Sequence, residues 1–238
     1  MWRGIARAED LQGNTVTAES ARSVAFALRA TAARLRDVSA EYQNQNRFAT
    51  LHNKQPGGKF ANLELFDLFL ALHSLLVEAC SARDYLARFI AQRIIGINKV
   101  DSMTKLLDRL KNNHQSGIVI DALREASEKG GSGSWLAQLG QYRNMIVHQA
   151  PIAGINESRF LSLDNIPLGK STFLAVRYRI PQDPGDVANS HDVDALVHFR
   201  QLLLRLFDFA RLIGSHSGVT PATTTIHEAD LLPLPIEP

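Results

Sequence analysis

Arg143-Asn144-Met-Ile-Val-His148 places a guanidinium, a carboxamide and an imidazole within six residues. Those three groups suffice for metal-free phosphoryl transfer. An imidazole with an ordinary pKa of about 6.5 carries protons near neutrality, a guanidinium fork holds phosphate oxygens, and an amide fixes either one. The segment 134–151 that carries them leaves a loop, Gly130-Gly-Ser-Gly-Ser134, and stops at Pro151. Leu136, Leu139, Met145, Ile146 and Val147 supply apolar contacts, so the segment reads as an amphipathic helix with Ser134 as N-cap. On that helix Asn144 and His148 stand almost one above the other. Arg143 is turned about 140° from His148 and lies about 7.5 Å away along the axis. One helix therefore makes a loose site; a two-fold copy packed against it could bring an Arg and a His from each chain into one cleft.

Arg followed by His five positions later also occurs at Arg47/His52, Arg109/His114 and Arg211/His216. Those pairs fall at polar or glycine-broken helix ends, where cations suit the terminal carbonyls. The Arg143 pair is set apart by the adjacent Asn144, by the apolar run before the His, and by the loops that delimit its helix. In these respects the motif resembles the HEPN superfamily of nucleases, whose signature is Arg, commonly followed by a polar residue such as Asn, with His a few residues on. The resemblance implies an all-α fold, a HEPN-like antiparallel helical bundle that forms a homodimer and cuts RNA without a metal or cofactor. It implies His148 as general acid/base, Arg143 as phosphate holder and Asn144 as positioning group. The products would be a 2′,3′-cyclic phosphate and a 5′-hydroxyl, and the biological role one of defence or of a toxin restrained by an antitoxin or other regulatory protein. Gln149-Ala150 stand where one branch of toxins carries x-Tyr, which argues against regulation by a partner nucleotidyltransferase. Two other readings of the same residues stay open. They could cap and cross-link a helix end, or belong to a non-catalytic helical module that binds a nucleotide or a partner protein.

The whole chain is compatible with such a unit. Its 238 residues are 45 % apolar and can bury one core, so 1–238 reads as a single domain. A formal charge of +2 provides no global field for nucleic acid, but basic residues dominated by Arg allow a local phosphate-binding cleft. The lone Cys80 excludes a disulfide framework and reads as a small buried hydrophobe in a reducing compartment. No signal-like segment or uncharged run of membrane-spanning length stands out, which predicts a cytoplasmic protein with no membrane partner. His-Glu-x-x-His, Cys-x-x-Cys and Gly-x-Ser-x-Gly are absent, so metal hydrolysis and serine acyl transfer have no local support.

The elements that must position the motif are set by periodicity. An amphipathic helix is expected over 17–48, ended by Gln55-Pro-Gly-Gly-Lys59, and a central buried helix over 61–95. Its charged exceptions matter: Glu78 or Asp84 could orient Arg143 or His148, while an Asp84–Arg88 pair at helix spacing is the structural alternative. His73 reads as a core histidine. Short helices are expected over 101–112 and 119–128, the first capped by Asp101 or Ser102. A small β-hairpin insertion over 151–188, with strands 159–163 and 172–180, precedes the last long helix. Arg177 and Arg179 give the second strand a basic edge, for protection or for an RNA backbone. Asn189 and Asp192 suggest the start of the final helix, which runs to about 213. The tail, 217–238, is expected to be loosely ordered.

Overall fold

The protein is described by a computed structural model, which describes residues 1–111, 116–128, 134–145, 160–168, 171–187 and 189–223. It is mainly α-helical. Seven α-helices occur among those residues: α1 (Trp2–Leu11), α2 (Thr15–Leu51), α3 (Leu65–Phe89), α4 (Met103–Lys111), α5 (Ile118–Ser127), α6 (Trp135–Asn144) and α7 (Ala195–Ser215). Two small sheets accompany them, built from β1 (Lys59–Phe60), β2 (Leu161–Leu168), β3 (Ser171–Arg177), β4 (Arg179–Pro181) and β5 (Asp192–Asp194).

The long pair α2 and α3 forms the spine. Leu68, Leu72, Leu75, Leu76 and Leu86 of α3 are buried, and so are Val24, Val38 and Tyr42 of α2. Leu65–Ile95 is long and apolar enough to cross a membrane. Its buried leucines and the Arg83–Asp84 pair in its second half make it the core helix of a packed bundle. Beyond Phe89 the helix widens into a π-helical turn, Ile90–Ile95, closed by Gly96 at φ 77°. A left-handed backbone of that kind suits glycine. Periodicity alone continues a regular helix to residue 95; the π turn brings Gln92 to the Ser20 hydroxyl at 2.7 Å and Arg93 to Glu9 at 2.9 Å.

The expected hairpin insertion proves to be more than a hairpin. β2 pairs antiparallel with β3 as expected, but β1, from the loop between α2 and α3, adds a third strand to their sheet. The second expected strand breaks at Tyr178, and its continuation, β4, pairs instead with β5. The Tyr178 carbonyl accepts from Ala195 N–H at 2.8 Å and so anchors α7 to the break. The cap of α7 is therefore not Asn189 or Asp192 but Asp194, whose carboxylate accepts from Val197 N–H at 3.0 Å. Arg177 and Arg179 both reach Asp164, at 3.1 and 2.7 Å, so one carboxylate of the neighbouring strand offsets half of the charge on this basic edge.

The N-terminal helix α1 is not marked by the sequence pattern, and the chain after α7 docks on it. Ala222 N–H donates to Gly4 O at 2.9 Å, and a Cβ on Gly4 would come within 2.8 Å of Pro221 and Ala222. Ser217 and Val219 are buried, which corrects the expectation of a loose tail up to about residue 222. Residues 224–238 lie outside the described residues.

Candidate functional site

The helix α6 is held by its apolar face. Trp135, Leu136, Leu139, Tyr142 and Met145 are buried, at the three- and four-residue spacing of one helical stripe. Ser134 occupies the N-cap position without a side-chain cap bond. Against α3, Cys80 Sγ–H meets Leu139 O at 3.3 Å, and Gly140 lies so close to Arg83 that an added Cβ would sit 2.5 Å from its Nη1. A mid-helix glycine costs about 1 kcal/mol relative to alanine, and this close approach of a guanidinium is its physical reason. Tyr142 tethers the other side, where its hydroxyl donates to Pro181 O.

Arg143 and Asn144 come directly after Tyr142 and are exposed. Among the described residues, neither has a hydrogen-bond or ion-pair partner. His148 lies outside the described residues, so the structure brings together only the Arg143 and Asn144 part of the motif. Asp84 does not serve Arg143. Its Oδ1 accepts from Arg83 Nε and Nη2 at 3.1 and 3.0 Å and from Met103 N–H, the first amide of α4, at 3.0 Å. The expected Asp84–Arg88 pair is replaced by this arrangement, while Arg88 lies over the Tyr85 ring at 5.8 Å. Glu78 is half-buried and bonded to none of the described residues; His73 is half-buried too, not a core histidine.

Cys80 is buried as the sequence suggests. Desolvation pushes its thiol up to about 11, with Arg83 pulling the other way, Asp84 adding to the rise and Arg143 opposing it. A buried thiol of that kind is an inert packing group. Among the described residues no group of three His, Cys, Asp or Glu side chains could hold a metal ion.

Among the described residues, the buried histidine is His198 of α7, 8 % exposed. Its ring meets the Tyr142 ring edge-on at 5.6 Å, and its Nε2 is without a hydrogen-bond partner. Burial lowers its pKa to about 4, with Arg205 and His191 adding to the effect. Between about 4 and 6.5 the unfolded chain binds a proton at this residue that the folded chain does not. Stability is then present above pH 6.5 and lost as pH falls toward 4, by about 1.4 kcal/mol per unit. Melting curves from pH 7 to 4.5 should show a loss on the order of 3 kcal/mol, and His198→Leu should flatten that slope. An unchanged slope in the variant assigns the loss to other groups.

Three of these features are not singled out by sequence reasoning: Gly140, Tyr142 and His198. Gly140 carried a readable signal, a glycine inside a helical pattern; the other two are fixed by contacts between distant segments. The mainly helical architecture with two small sheets defines the class of the protein. The chain matches no protein-family model, no curated protein and no solved structure.

Proposed function

We propose that the protein is a HEPN-type, metal-independent endoribonuclease that cleaves RNA through attack of the 2′-hydroxyl, giving a 2′,3′-cyclic phosphate and a 5′-hydroxyl. The observation that carries this reading is the state of Arg143. A guanidinium at the end of a firmly packed helix is exposed, and the nearby carboxylate, Asp84, is committed to Arg83 and α4 instead. An arginine serving only the fold would gain from that carboxylate; one without a counter-ion among the described residues suits a phosphate. Asn144 extends the same exposed end, and His148 supplies the proton acceptor and donor that RNA, with its own nucleophile, still requires.

The reading includes a homodimer. Phe66, Leu70 and Val77 of α3 are exposed and fall within about 40° of one another around the helix. Cys80, which α6 covers, lies on the same side of α3, so the apolar stripe continues the surface on which the motif helix sits. A second copy seated there would bring a second Arg143 toward the first. A cytoplasmic setting and a restraining antitoxin or regulatory partner complete the proposal. The test is incubation of the purified protein with a mixed-sequence RNA in excess EDTA. Fragments ending in cyclic phosphate support the reading, whereas uncut RNA, or cleavage that only added metal restores, overturns it.

A binding module is the second reading, favoured by a separate cavity of about 540 Å³ between α5, α6 and α7. Glu125, Trp135, Arg205 and Asp208 are among its lining residues, a mixture of aromatic and charged groups suited to a polar ligand. Ligand binding without RNA cleavage would select it.

A further inference from the structure

A smaller cavity, of about 220 Å³, lies between α2, the face of β3 and the start of α7. Its walls are largely apolar, with Ile166, Val176 and Leu196 among them, and a few polar groups converge on it. That is the composition of a small-molecule site, at a size below that of drug-like ligands. Asp194 is the telling residue. It is 9 % exposed, and Oδ1 accepts from Val197 N–H as the cap of α7, but Oδ2 is buried with no hydrogen-bond partner. Burial pushes the Asp194 carboxyl above the usual carboxylate range, while Val197 N–H, Arg177, Arg179 and Tyr178 N–H pull the other way. A buried acceptor left in this state costs about 1–3 kcal/mol, more for a charged group, and calls for a donor.

Donors in the same cavity have the complementary surplus. Tyr42 accepts at its hydroxyl oxygen from Leu196 N–H at 3.3 Å, which leaves the hydroxyl proton to give. Asn46 accepts at Oδ1 from Val176 N–H at 2.8 Å, which fixes the amide and leaves its Nδ2 hydrogens to give. Gln43 adds a second carboxamide at the wall. The charges nearby nearly cancel, two guanidiniums, Arg177 and Arg179, against two carboxylates, Asp164 and Asp194, so the cavity favours a neutral molecule. It would have to present N–H donors to a carboxylate and, beside them, acceptors to a hydroxyl and two amides.

We infer that this cavity is a nucleobase pocket with a preference for guanine. Guanine offers contiguous donors, N1–H and the N2 amine, which Asp194 Oδ2 accepts, and its O6 and N7 acceptors face Tyr42, Asn46 and Gln43. Adenine turns the lone pair of N1 toward the carboxylate, and uracil and cytosine each bring one donor group to it. Guanine alone brings a donor to each of the two lone pairs of Oδ2, and a base with a single donor leaves one of them empty. The inference rests on the ribonuclease reading for its role, as the pocket that selects a base near the cut, but its test needs no cleavage.

The test monitors the backbone amides of Val176 and Val197 by NMR while guanosine 5′-monophosphate is added, with the other three mononucleotides and ribose 5-phosphate as controls. The expected result is saturable movement of both amides, with guanosine monophosphate binding at least tenfold more tightly than the others. Asp194→Asn is the informative variant, because asparagine caps a helix as well as aspartate does while placing a donor where Oδ2 was. It should keep the fold and lose at least tenfold in guanosine monophosphate affinity. No movement at millimolar nucleotide overturns the pocket, and so does equal movement with ribose 5-phosphate or an unaltered affinity in Asp194→Asn. Guanine binding by a protein that leaves RNA uncut sustains the pocket and sinks the nuclease reading alone.

Discussion

Arg143→Ala is expected to lower metal-free RNA cleavage by about 10²–10³-fold and His148→Ala by about 10²–10⁴-fold. The two losses have different origins. The guanidinium is needed where charge accumulates on the phosphorane oxygens, so its removal weakens the transition state more than the bound substrate and should fall on kcat. The imidazole moves protons, so its removal should also erase the limb of the pH–rate profile that this group supplies. Because both act on one phosphate, the double variant should be little worse than the poorer single one.

Stability separates this expectation from a capping role. Arg143 is exposed and has no partner among the described residues, so truncation should leave the unfolding free energy within about 0.5 kcal/mol. Arg143→Lys retains charge but lacks the bidentate fork, and should recover only part of the activity. A melting temperature that falls in Arg143→Ala while cleavage persists would refute the catalytic assignment. Cleavage that survives both substitutions would do the same.

The helices were legible because long stripes of apolar residues fix them. The expected 17–48 and the observed Thr15–Leu51 differ only at their ends, as do 119–128 and Ile118–Ser127. The features that escaped notice depend on pairing across the chain. β1 is two residues of a loop that becomes a strand only because Ser162 and Leu161 lie opposite, and β5 exists because the strand breaks at Tyr178. No local propensity marks such partners. The same holds at the site. Charged residues beyond the apolar part of α3 read as needing partners, yet no helical spacing marks the adjacent Arg83, rather than Arg88 or Arg143, as the partner of Asp84. Asn189 and Asp192 were the residues that the pattern marked near the start of α7; Asp194 was not among them, and its significance comes from the cavity that it faces.

Arg93→Ala is expected to destabilise the protein by about 3 kcal/mol, a fall in melting temperature on the order of 10 °C for a chain of this size. Glu9 of α1 is fully buried, and Arg93 Nε lies 2.9 Å from its Oε1, as an ion pair off the line of a good hydrogen bond. Asn14 Nδ2 holds the other carboxylate oxygen at 2.7 Å. Without Arg93, Glu9 keeps one neutral donor for a buried charge, and breaking such pairs costs about 3–5 kcal/mol. The lower end applies because the Arg93 side chain is 33 % exposed, so water can enter the vacated space. Replacing both residues with apolar ones, as in Glu9→Leu with Arg93→Met, should recover most of the loss, because the penalty lies in the stranded charge. The π turn gives this pair its purpose. One additional residue in a turn rotates the downstream side chains by about 100° relative to a regular helix, and here Gln92 and Arg93 face Ser20 and Glu9. Deleting Ala91 should restore α-helical phase, swing both side chains away from α1 and α2, and destabilise the protein at least as much as Arg93→Ala does. Calorimetry of the two variants decides the matter: a deletion milder than the substitution would show that the widened turn is incidental to how α1 is held.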